Sequence, residues 1–247
     1  MARTVQPGNP ATDQVDQPSG ALNANSVMQR IADPAAYEAW YHTPRGHWIG
    51  DRELILLQEL LRPEAGATLL DVGCGTGYFS RRFARLGLSV TAIDPDPAAL
   101  EFARMQGDDI HYLQGSALEL PFPDNAFDYT TAVTSLCFID DPLPALREMW
   151  RVTRHALALG LLNRHSLLYW EKQGHGSYLG ARWDTAGEVM EAWMPALMPT
   201  PGEIALRSAV FLPRGSRVAR WSEQWLPGRL LWGGFLAVGL RKQVTVD

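Results

Sequence analysis

Leu69-Leu70-Asp71-Val72-Gly73-Cys74-Gly75-Thr76-Gly77-Tyr78 decides how the rest of the chain is read. An apolar run, Thr68 to Val72, stops at three glycines in alternate positions, and a helical stretch follows from Tyr78 to Leu86. A short apolar run bounded by turn residues reads as a buried strand. Glycines let the backbone turn sharply and approach a ligand closely. The first turn of the next helix can offer N–H groups to polar ligand atoms. One acid, Asp71, precedes the glycines. A second, Asp94, stands 17 residues beyond Gly77, after the next apolar run, Ser89 to Ile93. A dinucleotide-type fold places a carboxylate there to grip ribose hydroxyls. The competing reading is that the glycines serve only the turn, and that Asp94, before Pro95, is a turn residue.

Working outward, strand-like and helix-like runs alternate. Pro97 to Met105 reads as a helix with Pro at its start, Ile110 to Leu113 and Phe127 to Val133 as strands, and Leu143 to Val152 as a helix with Asp141 as N-cap. Ala156 to Leu162 is an apolar fifth strand. Upstream, Ala35 to Trp40 and Gly50 to Leu61 read as helices, with Leu54, Leu57 and Leu61 on one face of the second. Past residue 203, Ile204 to Leu212 and Phe235 to Leu240 look like strands that pair antiparallel at one edge. The expected fold is α/β, Rossmann-like and doubly wound, with a mainly parallel seven-stranded sheet and an antiparallel edge strand. The expected organisation is a disordered tail over 1–25, a helical lid over 26–62, and a domain over 63–247 with an acceptor-site insertion at about 163–202.

Composition narrows the class. The chain has 247 residues, 46% of them apolar, enough for one domain with a sizeable core. A net charge of -5 argues against a nucleic-acid footprint. Seven basic residues from Arg207 to Lys242 make the C-terminal stretch locally positive, read as a solvated face rather than an anion patch. Two cysteines, Cys74 and Cys137, form neither a disulfide framework nor a zinc spacing. With no apolar leader and no apolar run long enough for a bilayer, the expectation is a cytoplasmic protein without stable membrane insertion. The histidine spacings suggest no metal site.

Four segments, in order, resemble class I S-adenosylmethionine-dependent methyltransferases of the type 11 domain group. Asp71 to Gly77 is similar to their first motif, Val90 to Asp94 to their second-strand acidic motif, Gln114 to Asp128 to the segment after the third strand, and Ala145 to Val152 to the helix after the fourth. The resemblance spans roughly residues 50 to 165. It implies S-adenosylmethionine as cofactor. Gly73, Cys74, Gly75 and Gly77 would face its methionine and ribose, Asp71 its amino group, and Asp94 with Pro95 its ribose. Ser116 and Ala117 would lie beside the adenine. The family commonly has Asp where Ser116 stands, and a hydroxyl can bond the adenine amine without adding charge. Thr134, with Ser135 and Leu136, would line the reaction chamber. Some relatives fold a segment like Tyr41-His-Thr-Pro-Arg45-Gly46 over the cofactor. The alternative is a helix packed by Tyr37, Trp40 and Tyr41 with Arg45 in solvent.

After the fifth strand, Asn163 to Trp183 brings polar and aromatic side chains to the carboxyl end of the sheet, where open α/β sheets bind ligands. His165 is a candidate general base because imidazole titrates near neutrality, and Tyr178 a second candidate catalytic group. Trp170 and Trp183 could equally be packing. The expected function is methyl transfer to a small-molecule acceptor, with a homodimer left open. A nicotinamide-dependent oxidoreductase usually has G-x-G-x-x-G, where Gly77 falls at the wrong spacing. A non-catalytic cofactor-binding protein and a macromolecular methyltransferase are the other readings.

Overall fold

The computed structural model describes residues 33–223, 225–226 and 228–243. The expected tail over 1–25, and the part of the expected lid over 26–32, lie outside the described residues.

Seven strands form one sheet: β1 Thr68–Val72, β2 Ser89–Asp94, β3 His111–Gln114, β4 Phe127–Val133, β5 Thr153–Leu162, β6 Glu203–Ala209 and β7 Phe235–Arg241. Their order is β3-β2-β1-β4-β5-β7-β6. β1 to β5 are parallel, and β7 runs antiparallel to both of its neighbours. The antiparallel strand therefore lies one place in from the edge, with β6 outside it.

Alternation along the strands sends side chains to two cores. Leu69, Val90 and Ala92 pack with helices α2 (Pro44–Leu61), α3 (Tyr78–Arg85) and α4 (Pro97–Met105) on one face. Leu70, Val72 and Ile93 pack on the other face with α5 (Leu143–Val152) and with Val189, Trp193 and Leu197. A third, small cluster of Cys137, Leu162, Leu168 and Trp183 sits beyond the carboxyl ends of β4 and β5.

Several boundaries moved for identifiable reasons. β5 begins at Thr153 rather than Ala156, because the exposed polar residues Arg154 and His155 continue the sheet where one end meets solvent. β6 ends at Ala209, since Val210 adopts φ 64° and turns the chain. The buried Glu223, at the end of α8 (Arg217–Glu223), accepts the Val210 and Phe211 N–H groups at 2.6 and 3.1 Å. Asp141 accepts the Leu143 N–H at 3.1 Å, while Pro142 occupies the capping position of α5.

The second upstream helix is no lid. α2 buries Leu54, Leu57 and Leu61 in the first core and packs on β5, β6 and β7, so it belongs to the domain itself. α1 (Pro34–Tyr41), N-capped by Asp33, packs against α2 and α4.

Candidate active site

The turn after β1 is shaped by what its glycines exclude. At Gly73, φ is 73° and a Cβ would lie 2.4 Å from the Ser135 Cβ, so only glycine admits the β4 end this closely. At Gly77, φ is 77° and a Cβ would meet the Tyr112 hydroxyl at 2.5 Å. The loop amides are spent internally. Gly73 and Cys74 donate to the Ile93 carbonyl at 2.8 and 3.2 Å, Gly75 to the Asp94 carboxylate at 2.8 Å, and Gly77 to the Cys74 carbonyl at 2.9 Å. These four loop amides are therefore committed, which leaves the first turn of α3 as the place where backbone N–H groups could meet a ligand.

Two carboxylates flank the loop. Asp71 is buried and accepts one hydrogen bond, from Ser80 Oγ at 2.6 Å. Burial pushes its pKa up to about 7, against the Ser80 bond and with help from the Asp94 charge. A cationic amino group would relieve that cost. Asp94 also accepts the Asp96 N–H at 2.8 Å; burial raises its pKa, and these backbone donors oppose the rise. Pro95 stands beside it, half-buried. Ser116 Oγ accepts the Leu118 N–H at 3.2 Å in a tight turn, and Ala117 is buried next to it. Thr134, at the end of β4, adopts φ 50°. Such strain in a β-branched residue costs on the order of 1–3 kcal/mol and concentrates at ligand sites. The chain thus presents a glycine cradle closed to larger residues at Gly73 and Gly77, with the Asp71 and Asp94 carboxylates on either side, an arrangement able to receive an amine and a diol. This fits S-adenosylmethionine.

A buried network, unforeseen from the sequence, ties α1 to this cradle. Glu38 on α1 accepts Thr76 Oγ1 at 2.7 Å and pairs with Arg81 on α3 at 2.5 Å. Arg81 also donates to the Thr76 carbonyl at 2.7 Å. Tyr41 is buried, stacked on Tyr78 with ring centroids 3.7 Å apart, and its hydroxyl lies 3.3 Å from that of Tyr37. Arg45 is not in solvent alone: its Nε donates to the Pro213 carbonyl at 2.7 Å. Gly46 is a packing glycine, since a Cβ would lie 2.0 Å from the Trp40 carbonyl oxygen.

Beyond β5, Asn163 is structural, donating to the Leu231 and Gly233 carbonyls at 3.0 and 2.8 Å and accepting the His165 N–H at 3.0 Å. The His165 ring is exposed. Trp170 is 77% exposed, whereas Trp183 is buried against Tyr178 and Tyr169, with ring centroids 5.4 Å away in each case. Tyr178 is half-buried, and desolvation pushes its pKa up to about 12, aided by the Glu53 charge and opposed by Arg45. The segment docks through Arg182, whose N–H donates to the Cys137 carbonyl at 2.7 Å and whose guanidinium pairs with Asp184 at 2.7 Å.

Residues 70–156 match a family model described as a methyltransferase domain. The chain is 44% identical over 89 residues to a malonyl-[acyl-carrier protein] O-methyltransferase of Serratia marcescens, covering 36% of this chain and 35% of that protein. It is 40% identical over 89 residues to a demethylmenaquinone methyltransferase of Renibacterium salmoninarum, covering 36% and 38%. It thus spans little more than a third of the length of these relatives. A solved Thermotoga maritima S-adenosylmethionine-dependent methyltransferase, described as a possible histamine N-methyltransferase, superposes with a TM-score of 0.64 at 26% identity, covering 85% of this chain and 95% of that one. Residues 70–156 thus match a methyltransferase domain, and the fold is that of class I S-adenosylmethionine-dependent methyltransferases, which implies S-adenosylmethionine as the cofactor. No described helix is long and apolar enough to cross a membrane.

Proposed function

We propose that this protein transfers a methyl group from S-adenosylmethionine to a small-molecule acceptor. The observation that carries the reading is the cradle itself, with Asp71 and Asp94 on either side of a glycine turn that Gly73 and Gly77 keep open. Bound there, the cofactor supplies an already activated methyl group. The chain supplies orientation and dryness. Asp71 holds the amine, Asp94 the ribose hydroxyls, Ser116 and Ala117 the adenine edge, and Thr134 borders the chamber. Tyr178 lines the acceptor side; His165, exposed on its turn, does not.

Calorimetry tests this reading. S-adenosylhomocysteine should bind at micromolar concentration or below, and NAD far more weakly. Asp94→Ala should weaken binding by roughly 1.5–3 kcal/mol, the scale of hydrogen bonds to a charged group, with the fold retained. Tight NAD binding without an S-adenosylhomocysteine signal, or an unchanged Asp94→Ala affinity, refutes it.

A further inference from the structure

The C-terminal arginines read from the sequence as a solvated face, and the proposed reaction makes no use of them. Residues 204–243 carry seven basic side chains and a single acid, Glu223. Glu223 is buried, and its carboxylate is taken by the Val210 and Phe211 N–H groups. Part of the positive charge is also committed. Arg207 donates to the Leu206 carbonyl at 2.8 Å, Arg241 to the Leu61 carbonyl, and Lys242 to Asn125 at 2.8 Å. Arg220 is half-buried, with its Nε on the Gly215 carbonyl at 2.9 Å. Arg214, Arg217 and Arg229 are left exposed.

Apolar side chains stand in solvent between these arginines. On α8, Ala219 and Glu223 are the buried positions, and the opposite side of the helix carries Arg217, Val218 and Trp221. Val218 is 70% exposed and Trp221 64%. Trp225 follows one turn later, 73% exposed, with its ring centroid 6.2 Å from that of Trp221. Helix α6 (Leu167–Lys172) continues the pattern, burying Leu168 in the third cluster and leaving Leu167 and Trp170 exposed. Glu171 of α6 accepts the Arg214 Nε at 3.1 Å, which ties α6 to the loop leading into α8. At that pair a cavity of about 470 Å³ is lined by Arg45, Glu171, Lys172 and Arg214, three cations with one carboxylate.

Large apolar side chains left in water gain free energy when covered, and a group of them rimmed by polar residues marks an interaction surface. The chemistry of this group selects its occupant. Tryptophan with arginine suits the boundary of a bilayer, where the indole sits at headgroup depth and the guanidinium meets phosphate. Aliphatic Leu167 and Val218 would enter the acyl boundary, whereas a nucleic acid gives them nothing to stack on. A second copy of the chain, meeting the same patch across a two-fold axis, would set arginine against arginine. We propose that α6, the Arg214 loop and α8 form a face that docks peripherally on an anionic phospholipid bilayer, with the cavity at Arg45, Lys172 and Arg214 receiving a headgroup phosphate. Charge complementarity carries the choice, because the face offers cations and its one neighbouring carboxylate, Glu171, is already paired with Arg214. No cradle residue takes part, so docking is independent of the methyltransferase reading.

Vesicle sedimentation tests the face on the full chain. The protein should sediment with vesicles of phosphatidylcholine and phosphatidylserine in equal parts, far less with phosphatidylcholine alone, and less as salt is raised. Its tryptophan emission should shift to the blue on binding. Trp221→Ala with Trp225→Ala should weaken binding to the mixed vesicles by roughly tenfold or more. Lys172→Gln with Arg214→Gln should do the same through lost charge. All four side chains lie at the surface, so Tm and S-adenosylhomocysteine affinity should match the parent, and Trp225→Ala alone serves if the double variant folds poorly. A parent that leaves the mixed vesicles in the supernatant overturns the proposal, as does parental binding by both double variants. Binding to a single-stranded oligonucleotide or to polyglutamate without binding to vesicles also overturns it, and so does a dimer that the tryptophan variant dissolves in a protein that ignores vesicles. None of these results bears on methyl transfer, so failure here leaves the proposed function to its own calorimetric test.

Discussion

The glycine cradle and the proposed acceptor region are built from different material. The cradle is mostly backbone, contributed by one continuous stretch from β1 to β2 and closed by internal hydrogen bonds at Gly73, Cys74, Gly75 and Gly77. The proposed acceptor region is mostly side chains, with Cys137 from the turn after β4 packed among Tyr169, Tyr178 and Trp183 from the segment after β5. A backbone cradle fixes one ligand shape, because moving it means breaking the sheet. A chamber of rings on separate elements can be re-lined one residue at a time. This is how one cofactor site can serve many acceptors.

The strongest way to break the comparison is at the joint between α1 and the cradle. Glu38 and Arg81 are each about nine-tenths buried and connect α1 to Thr76 in the cradle. Arg81→Ala leaves the Glu38 carboxylate buried with only the Thr76 hydroxyl and the His42 ring, 3.8 Å away, as partners, and removing the cation of such a pair costs about 3–5 kcal/mol. Urea melts should show a loss of that size, and cofactor affinity should drop as the cradle loosens. A loss below about 1 kcal/mol would mean that α1 and the cradle are not mechanically joined there.

The contrast also explains what the sequence could and could not reveal. Motif spacing is local, so Asp71, the three glycines and Asp94 could be read from the strand–turn–helix pattern alone. The proposed acceptor region depends on tertiary convergence. Cys137 stands well before Tyr178 and Trp183 in the sequence, and only the docking of the segment after β5 brings the three into one cluster. Glu38 was hidden for the same reason, although an acid amid Tyr37, Trp40 and Tyr41 was a faint signal. His165 drew attention by residue type and lies exposed. Gly46 looked like a ligand contact, but the tight crossing of α1 over α2 requires it. α8 was missed because its seven residues carry no clear apolar period.

A smaller effect sharpens the cradle side. Asp71 is pushed up to about 7 by burial, so below that pH it is protonated and must lose its proton to hold a cationic amine. Cofactor affinity should fall as pH drops from 7 to 5, approaching tenfold per unit. Asp71→Asn should bind weakly and show no slope over that range. Calorimetry at pH 5, 6 and 7 measures both. A parent affinity that is flat in pH would place the amine elsewhere.

The smallest effect separates residues within the segment after β5. Tyr178 packs on Trp183 and is half-buried. Tyr178→Phe removes that hydroxyl and keeps the ring, so stability should hold. Losing one hydrogen bond of ordinary strength, about 0.5–1.5 kcal/mol, lowers turnover by roughly two- to tenfold. His165 offers its ring to solvent, and only its backbone N–H is engaged, with Asn163. His165→Ala should behave as a surface change, within about 0.5 kcal/mol in stability and about twofold in rate. Cofactor affinity should be unchanged in both, because neither touches the cradle. The pair of variants is assayed on a panel of small phenols, amines and thiols beside an S-adenosylhomocysteine titration. If His165→Ala lost more turnover than Tyr178→Phe, the acceptor would have to enter from the outer face of the turn after β5. The cluster of Tyr178 and Trp183 would then be packing.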